Sequence, residues 1–172
     1  GDLDETFDGT IIIGAHAMAG TINGFLDHTQ SSLQCFNYYI NGKKTGEIGQ
    51  WATMCAHYKV PLLMVAGDDA ACIEAKAFFN PIETASVKRG EGRNQAFCCS
   101  SEEAEQRIQE AAKRAMSLIG RAKLYTPILP MEIKEEYTRA DYCDARGQKP
   151  GVERLDARTL RKVSYSHLDI FI

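Results

Sequence analysis

The sequence predicts an α/β protein in which a mixed sheet is flanked by helices in three layers, with an additional β-hairpin or ribbon. The apolar segment Thr10–Ile13 is typical of a strand buried within a sheet. The segment PLLMVAGDDAACIEAKAFF repeats the order strand, turn and helix, and Ser100 and Glu103 form a capping box before an amphipathic helix. Strands that alternate with helices indicate an α/β architecture.

The first half of the chain predicts a loop, a hairpin and two helices. The loop is expected at Met18–Thr29, which contains two glycines. Phe and Tyr are frequent in Ser32–Ile40, and Asn41–Gly42 is a turn signal, so these residues predict a β-hairpin. From Gly46 onward apolar side chains recur at helical spacing, which predicts a helix of about three turns. A strand after Pro61 leads into the second helix.

The second half predicts short strands, one long helix and one short helix. The short strands are expected at Thr84–Lys88 and Asn94–Cys98. The helix after Ser100 has an apolar stripe and a terminal glycine, formed by Ala104, Ile108, Ala111, Ala115, Ile119 and Gly120. Beyond it the pattern predicts a strand in MEIKEEY, a helix over Tyr137–Ala145 and a closing strand within Val152–Tyr165.

The composition narrows the class of protein. The 172 residues suit one domain, and 44% hydrophobic with 25% charged residues is ordinary for a soluble globular protein. A net charge of −3 argues against nucleic acid or an anionic membrane as the partner. No apolar run approaches the roughly 18 residues of a membrane span. The six cysteines form no C-x-x-C pair, so we expect buried reduced thiols and a cytoplasmic location.

Both ends of the sequence lead us to expect a longer polypeptide. A strand of the buried type begins at Thr10, and the last nine residues, SYSHLDIFI, stop on an apolar run without a cap. No linker composition or internal repeat divides the chain. We therefore expect residues 1–172 to be a single α/β domain that is a fragment of a larger protein.

His16, His28 and Glu47 are the candidate metal-binding or catalytic residues. His16 follows the carboxyl end of the first strand, where α/β proteins collect ligands. His28 lies in the loop beside Asp27, and Glu47 begins the next helix. Imidazole and carboxylate are zinc ligands, but spacings of twelve and nineteen residues match no compact motif. Each residue also has an interpretation without a function. His16 would be a histidine bonded to a backbone carbonyl, His28 an exposed loop histidine, and Glu47 a carboxylate favoured by the helix dipole.

Asp68, Asp69 and Arg93 are candidate substrate-binding residues. Paired carboxylates after a strand bind metal or act as acid and base, whereas helix capping explains at least one of them without a function. Arg93 lies in the basic segment KRGEGRNQ. This segment would bind a substrate carboxylate, contact a neighbouring subunit or remain a solvated loop. The chain has no G-x-S-x-G, G-x-G-x-x-G or Walker A motif, so neither serine-hydrolase chemistry nor nucleotide binding is supported.

Five sequence blocks occur in order between Phe7 and Tyr165. They are GAHAMAGT with LDHT, YINGKKTGEIG, PLLMVAGDDAA, ASVKRGEGR and PGVERLDARTL. Together they resemble the D-aminopeptidase family of zinc peptidases (peptidase family M55). The resemblance covers nearly the whole chain, and several blocks in order are far more specific than any single one.

The resemblance implies a metal-dependent aminopeptidase with two zinc ions. Members of this family hydrolyse short peptides, including some with an amino-terminal D-residue, and assemble as homo-oligomers of stacked pentameric rings, a decamer. The resemblance implies that His16 and Glu47 are zinc ligands. It implies that His28 is a catalytic residue rather than a ligand.

Part of the family pattern has no counterpart in this chain. The strand with a D-x-E-G segment and the N-D-x-H block, which supply further ligands, would precede Gly1. The resemblance therefore implies the carboxyl-terminal two-thirds of a catalytic domain that lacks its amino-terminal strand–helix units. Two other readings remain: a catalytically inactive binding or assembly module of the same fold, and a zinc amidohydrolase of another substrate class.

Overall fold

The computed structural model describes residues 3–172, which contain four helices and nine strands. The helices are α1 (Glu47–His57), α2 (Asp69–Phe78), α3 (Ser101–Met116) and α4 (Ala140–Arg146). The strands are β1 (Thr10–Ala15), β2 (Cys35–Ile40), β3 (Lys43–Lys44), β4 (Leu62–Asp68), β5 (Glu83–Gly92), β6 (Gln95–Cys98), β7 (Met131–Tyr137), β8 (Val152–Arg154) and β9 (Thr159–Ser164). No helix in this range combines the length and apolar character of a membrane span.

The first sheet has the strand order β1-β4-β5-β6. β1, β4 and β5 run parallel, whereas β6 pairs antiparallel with β5, so the sheet is mixed. Apolar residues of α1 and α2 pack against one face of this sheet, and those of α3 pack against the other. The predicted α/β class and the three layers of helix, sheet and helix are confirmed.

The central strand of this sheet, β4, is buried along its whole length. Leu62 and Val65 contact the side covered by α1 and α2, and Leu63, Met64 and Ala66 contact the side covered by α3. Each fully buried Leu or Val side chain stabilises the fold by about 1.5–3 kcal/mol. β4 therefore forms the centre of the core and holds the carboxyl ends of the parallel strands in place.

The second sheet goes beyond the predicted hairpin. β2 and β3 do form that hairpin, and Asn41 and Gly42 have φ values of 50° and 77°, as a tight two-residue turn requires. The hairpin, however, is part of a five-stranded antiparallel sheet of order β3-β2-β7-β9-β8. Sequence alternation predicted the strand β7 but not its partners, because strand pairing joins residues that are distant along the chain.

The long helix begins as predicted and ends earlier. The Ser100 hydroxyl accepts a hydrogen bond from the Glu103 N–H at 3.2 Å, which caps the amino-terminal end of α3. The helix ends at Met116, and the residues after it form turns in which Gly120 has a φ of +74°. Ile119, predicted on the apolar stripe, is 40% exposed. Because the helix ends at Met116, helical spacing no longer sets which side chain faces the sheet, and Leu118 is buried against it in place of Ile119.

The predicted closing strand within Val152–Tyr165 is divided into two. β8 and β9 pair antiparallel, and the N–H of Leu155 donates to the carbonyl of Thr159 at 2.9 Å to close the turn between them. Residues 155–158 between the two strands are all exposed and include no glycine or proline, so the sequence pattern did not show the break.

All six cysteines are free thiols. The four buried ones are Cys35, Cys55, Cys72 and Cys143. Burial raises the pKa of Cys55 and Cys72, which keeps both thiols protonated and unreactive. The expectation of buried reduced thiols holds for these four residues, whereas Cys98 is exposed and Cys99 is half-buried.

Candidate metal centre

His16 lies immediately beyond the carboxyl end of β1, at the end of the sheet where β4 gives way to α2. Its side chain is 22% exposed. The ring atom Nδ1 lies 3.1 Å from the carbonyl oxygen of Ala17. When Nδ1 carries the proton and donates to that carbonyl, Nε2 presents its lone pair, which is the form that binds a metal.

His28 lies beside His16 because the loop between β1 and β2 folds back on itself. The N–H of His28 donates to the carbonyl of Ala17 at 3.3 Å. Its Nδ1 lies 2.7 Å from the carbonyl oxygen of Leu26, so this ring also points Nε2 away from its backbone partner. The two imidazoles are stacked, with ring centroids 3.8 Å apart and planes inclined by 17°.

Glu47 is the first residue of α1 and completes the cluster from the opposite side. Its Oε1 accepts the N–H of Gln30 at 2.6 Å, which orients the carboxylate. Oε2 lies 3.5 Å from Nε2 of His16, and Oε1 lies 3.8 Å from Nε2 of His28. Contact with the carboxylate raises the pKa of His16, and the same contact lowers the pKa of Glu47. Glu47 is therefore held in its ionised form.

These three side chains fit a divalent metal ion. One donor atom from each lies within 4.8 Å of the other two. Zinc bonds of about 2.0–2.2 Å place neighbouring donors of a tetrahedral ion roughly 3.3–3.6 Å apart, close to the observed separations from Glu47. Two imidazoles and one carboxylate are also a donor set that zinc prefers, and backbone carbonyls orient both rings. The residues present therefore fit zinc.

A cavity of about 720 Å³ opens beside this cluster. His16, Glu47 and Gln30 line its polar end, and residues of β1 and α1 line its apolar wall. Ile13 of β1 borders the cavity and is 65% exposed.

Asp68 and Asp69 lie apart from the metal-binding cluster. Asp68 is buried, and its two oxygens accept the N–H groups of Ala71 at 2.9 Å and Phe25 at 2.7 Å. It thus caps α2, as helix signals predicted, and also ties down the loop that carries His28. Asp69 accepts a hydrogen bond from the hydroxyl of Ser86. Asp68 therefore binds backbone N–H groups and Asp69 binds a side chain of β5, so both carboxylates have structural partners.

Arg93 lies in a second, smaller cavity on the other side of His28. Its Nε is 3.6 Å from Oδ1 of Asp27, and its side chain is 45% exposed. The carbonyl of Arg93 accepts the N–H of Leu26, so the β5–β6 turn supports the His28 loop. The structure therefore places this sequence-predicted residue near the cluster but not within it.

Glu74 and Lys44 are two residues of the site region that sequence patterns did not single out. Glu74 lies in α2, is 7% exposed, and accepts the N–H of Met18 at 2.7 Å, just beyond His16. Burial raises the pKa of Glu74 to about 7. One sequence signal could have identified Glu74. It lies three residues after the apolar Ala71, a helical spacing that places this glutamate on the buried face of α2. Lys44 offered no such signal.

The comparisons with known proteins identify the family of the chain. The sequence model of the peptidase M55 family, described as D-aminopeptidase, matches residues 1–171. The chain is 32% identical over 151 residues to a D-aminopeptidase of Bacillus subtilis (strain 168), an alignment that covers 88% of the chain and 54% of that relative.

A solved structure with the same fold is that of the Zn-dependent D-aminopeptidase DppA from Bacillus subtilis, described as a self-compartmentalizing protease. The TM-score is 0.93 at 29% identity, and the match covers 98% of this chain and 61% of that one. The chain thus spans little more than half the length of the relatives it matches. By its sequence, its fold and its cluster of metal donors, the chain belongs to the D-aminopeptidase family, peptidase M55.

Proposed function

We propose that the protein containing this chain is a metal-dependent aminopeptidase that hydrolyses short peptides, including peptides with an amino-terminal D-residue. The observation that carries the proposal is the meeting of His16, His28 and Glu47 donor atoms within 4.8 Å at the carboxyl end of β1. The Zn-dependent D-aminopeptidase of known structure, which shares the fold, supports the choice of metal.

In this proposal His16 and Glu47 hold zinc, and His28 is catalytic. Bound zinc would supply Lewis-acid polarisation of the scissile carbonyl and would lower the pKa of water towards about 7. The Gln30 amide keeps Glu47 turned towards the ion, and the Ala17 carbonyl orients the ring of His16. Nε2 of His28 is free of backbone contacts and is directed into the cluster, so it would carry a proton to the leaving amine.

We further propose that residues beyond this chain complete the centre, which would hold two zinc ions. Within residues 3–172 this assignment leaves two zinc ligands, His16 and Glu47, whereas a closed site needs three or four ligands for each ion. β1 pairs with β4 on one side only in the described part of the chain. Its other edge, next to the exposed Ile13, would accept a further parallel strand from amino-terminal strand–helix units of the same domain.

The test uses the complete gene product and the dipeptide D-Ala-D-Ala with and without EDTA. We expect hydrolysis that EDTA abolishes and zinc restores, and two zinc ions per chain by metal analysis. The His16→Ala variant should bind less zinc. Hydrolysis at the same rate in EDTA would contradict the metal role, and zinc binding without hydrolysis of any dipeptide or amide would favour an inactive module.

The same proposal includes a homo-oligomer, a ring or decamer, in the cytoplasm. The relative of known structure is described as self-compartmentalizing, and this chain exposes apolar side chains in the segment before β2 and at its start. Leu33 is 76% exposed and Phe36 is 60% exposed. Sedimentation of the complete protein should give an oligomer, and a monomer would contradict this part. The free thiols fit a reducing compartment.

A further inference from the structure

The second cavity lies directly beside His28 and has a different chemical character from the first. Its volume is about 340 Å³, and its lining includes Gly20, Asp27, His28, Lys44 and Arg93. Two of these side chains are permanent cations and one is a carboxylate, so the cavity carries an excess of positive charge. An excess of this kind in a concave site attracts anions.

Lys44 supplies a cation with unused hydrogen-bonding capacity. It is the second residue of β3, and its Nζ donates to the carbonyl of Ala19 at 2.6 Å. Within residues 3–172 no carboxylate oxygen lies within the 4.0 Å of an ion pair from this ammonium group. An ammonium group has three donors, so two remain for a ligand in the cavity.

Arg93 is only partly neutralised by its neighbour. Its Nε lies 3.6 Å from Oδ1 of Asp27, which is beyond hydrogen-bond distance. The other oxygen of Asp27 accepts the N–H of Gly20 at 2.6 Å, so that carboxylate is committed to the loop backbone. The guanidinium of Arg93 is 45% exposed and can turn towards an anion in the cavity.

We propose that this cavity, through Lys44 and Arg93, binds the free carboxylate of the residue on the leaving side of the scissile bond. The proposal rests on the proposed function and names its substrate class: dipeptides and other very short peptides with a free carboxyl terminus. His28 borders the cavity and also contacts Glu47 of the metal cluster, so a substrate that spans both places its scissile bond beside His28. The small volume leaves room for about one residue beyond that bond.

The experiment compares D-Ala-D-Ala with its carboxamide, D-Ala-D-Ala-NH₂, on the complete protein. Rates are measured with zinc, and binding of the same two probes is measured by calorimetry in EDTA, where turnover is absent. Removing the charge from one partner of a charge-assisted hydrogen bond costs roughly tenfold to a hundredfold in affinity. We expect the free acid to be favoured over the amide by at least that factor in kcat/KM.

The variants assign this preference to Lys44 and Arg93. Lys44→Gln keeps an N–H for the Ala19 carbonyl but removes the charge, and it should bring the preference for the acid close to one. Lys44→Arg should retain it, and Arg93→Gln should reduce it. The matched control is Lys43→Gln, because the ammonium of Lys43 lies 3.5 Å from the Phe78 ring centroid and outside the cavity. This control should keep the full preference.

The outcomes separate this inference from the function on which it rests. A preference for the acid that disappears in Lys44→Gln but not in Lys43→Gln supports the inference. Equal rates and equal affinities for acid and amide in the wild-type protein would overturn it while leaving the aminopeptidase intact. A preference unchanged in both Lys44→Gln and Arg93→Gln would also overturn it. If the protein hydrolyses neither probe, the aminopeptidase proposal fails, and the calorimetric comparison still decides whether the cavity binds carboxylate.

Discussion

Glu74 provides the sharpest test of how the His16 loop is anchored. The carboxyl group lies in α2, is 7% exposed, and accepts the Met18 N–H at 2.7 Å through Oε2. Its other oxygen is buried without a hydrogen-bond partner in the described part of the chain. Because burial disfavours the ionised form, the pKa of Glu74 rises to about 7 from the ordinary 4.5. We consider the substitution Glu74→Gln, which keeps a carbonyl oxygen for the Met18 amide.

The magnitude follows from proton linkage. Between pH 4.5 and about 7 the folded protein keeps a proton on Glu74 that the unfolded chain has released. The contribution of this group to the free energy of unfolding is therefore full below pH 4.5, decreases as the pH rises, and is lost above about 7. The difference between the two pKa values corresponds to about 3 kcal/mol. Glutamine cannot ionise, so the variant avoids this loss.

The assay is urea unfolding of wild type and Glu74→Gln in EDTA, from pH 4.5 to about 8. The two proteins should have similar stability at pH 4.5. The variant should become more stable than wild type by about 3 kcal/mol at the upper end. The charge of Glu74 contributes to the raised pKa of His16, so the difference between the two proteins also contains the altered titration of His16. The control is Glu105→Gln, the same substitution at an exposed position of α3.

A stability difference between wild type and Glu74→Gln that stays constant with pH would refute the reasoning. That result would mean that the carboxylate is ionised in the folded protein throughout the range, and that water or a cation reaches it. A variant that is less stable at every pH would show instead that the glutamine does not preserve the bond to Met18.

Three further predictions concern the site and its support. His28→Ala should retain zinc and lower kcat by a factor of roughly 10²–10⁴. His16→Ala should lose zinc. If metal analysis shows the same loss of zinc in both variants, His28 is a ligand instead. Asp68→Ala should lower the free energy of unfolding by about 2–4 kcal/mol because the buried N–H of Ala71 and the half-buried N–H of Phe25 lose their acceptor. Asp68→Asn should lose less, and an equal loss in urea unfolding would contradict the capping role. In Gly67→Ala the new Cβ would lie 2.2 Å from the Ala15 carbonyl oxygen, so the melting temperature should fall, and an unchanged value would contradict the close packing of β1 on β4.

The local elements were predictable where a short segment carries its own physical signal. The apolar run at Thr10–Ile13 predicted β1, Asn41–Gly42 predicted a hairpin turn, and the capping box at Ser100 predicted the start of α3. In each case the interaction that forms the element lies within a few residues. The assignment of β7 and β9 to a separate antiparallel sheet was not predictable, since its partners are far away in the chain.

The sequence by itself determined most of the helices and strands, the types of donor and, through ordered blocks, the family. Only the tertiary structure decided that His16, His28 and Glu47 meet, because their spacings of twelve and nineteen residues fit no helix or strand period. They meet since the loop after β1 returns to the Ala17 carbonyl and α1 begins beside it. The buried environment of Glu74 and the position of the Lys44 ammonium in the second cavity are likewise properties of packing, because they arise only when distant segments come together.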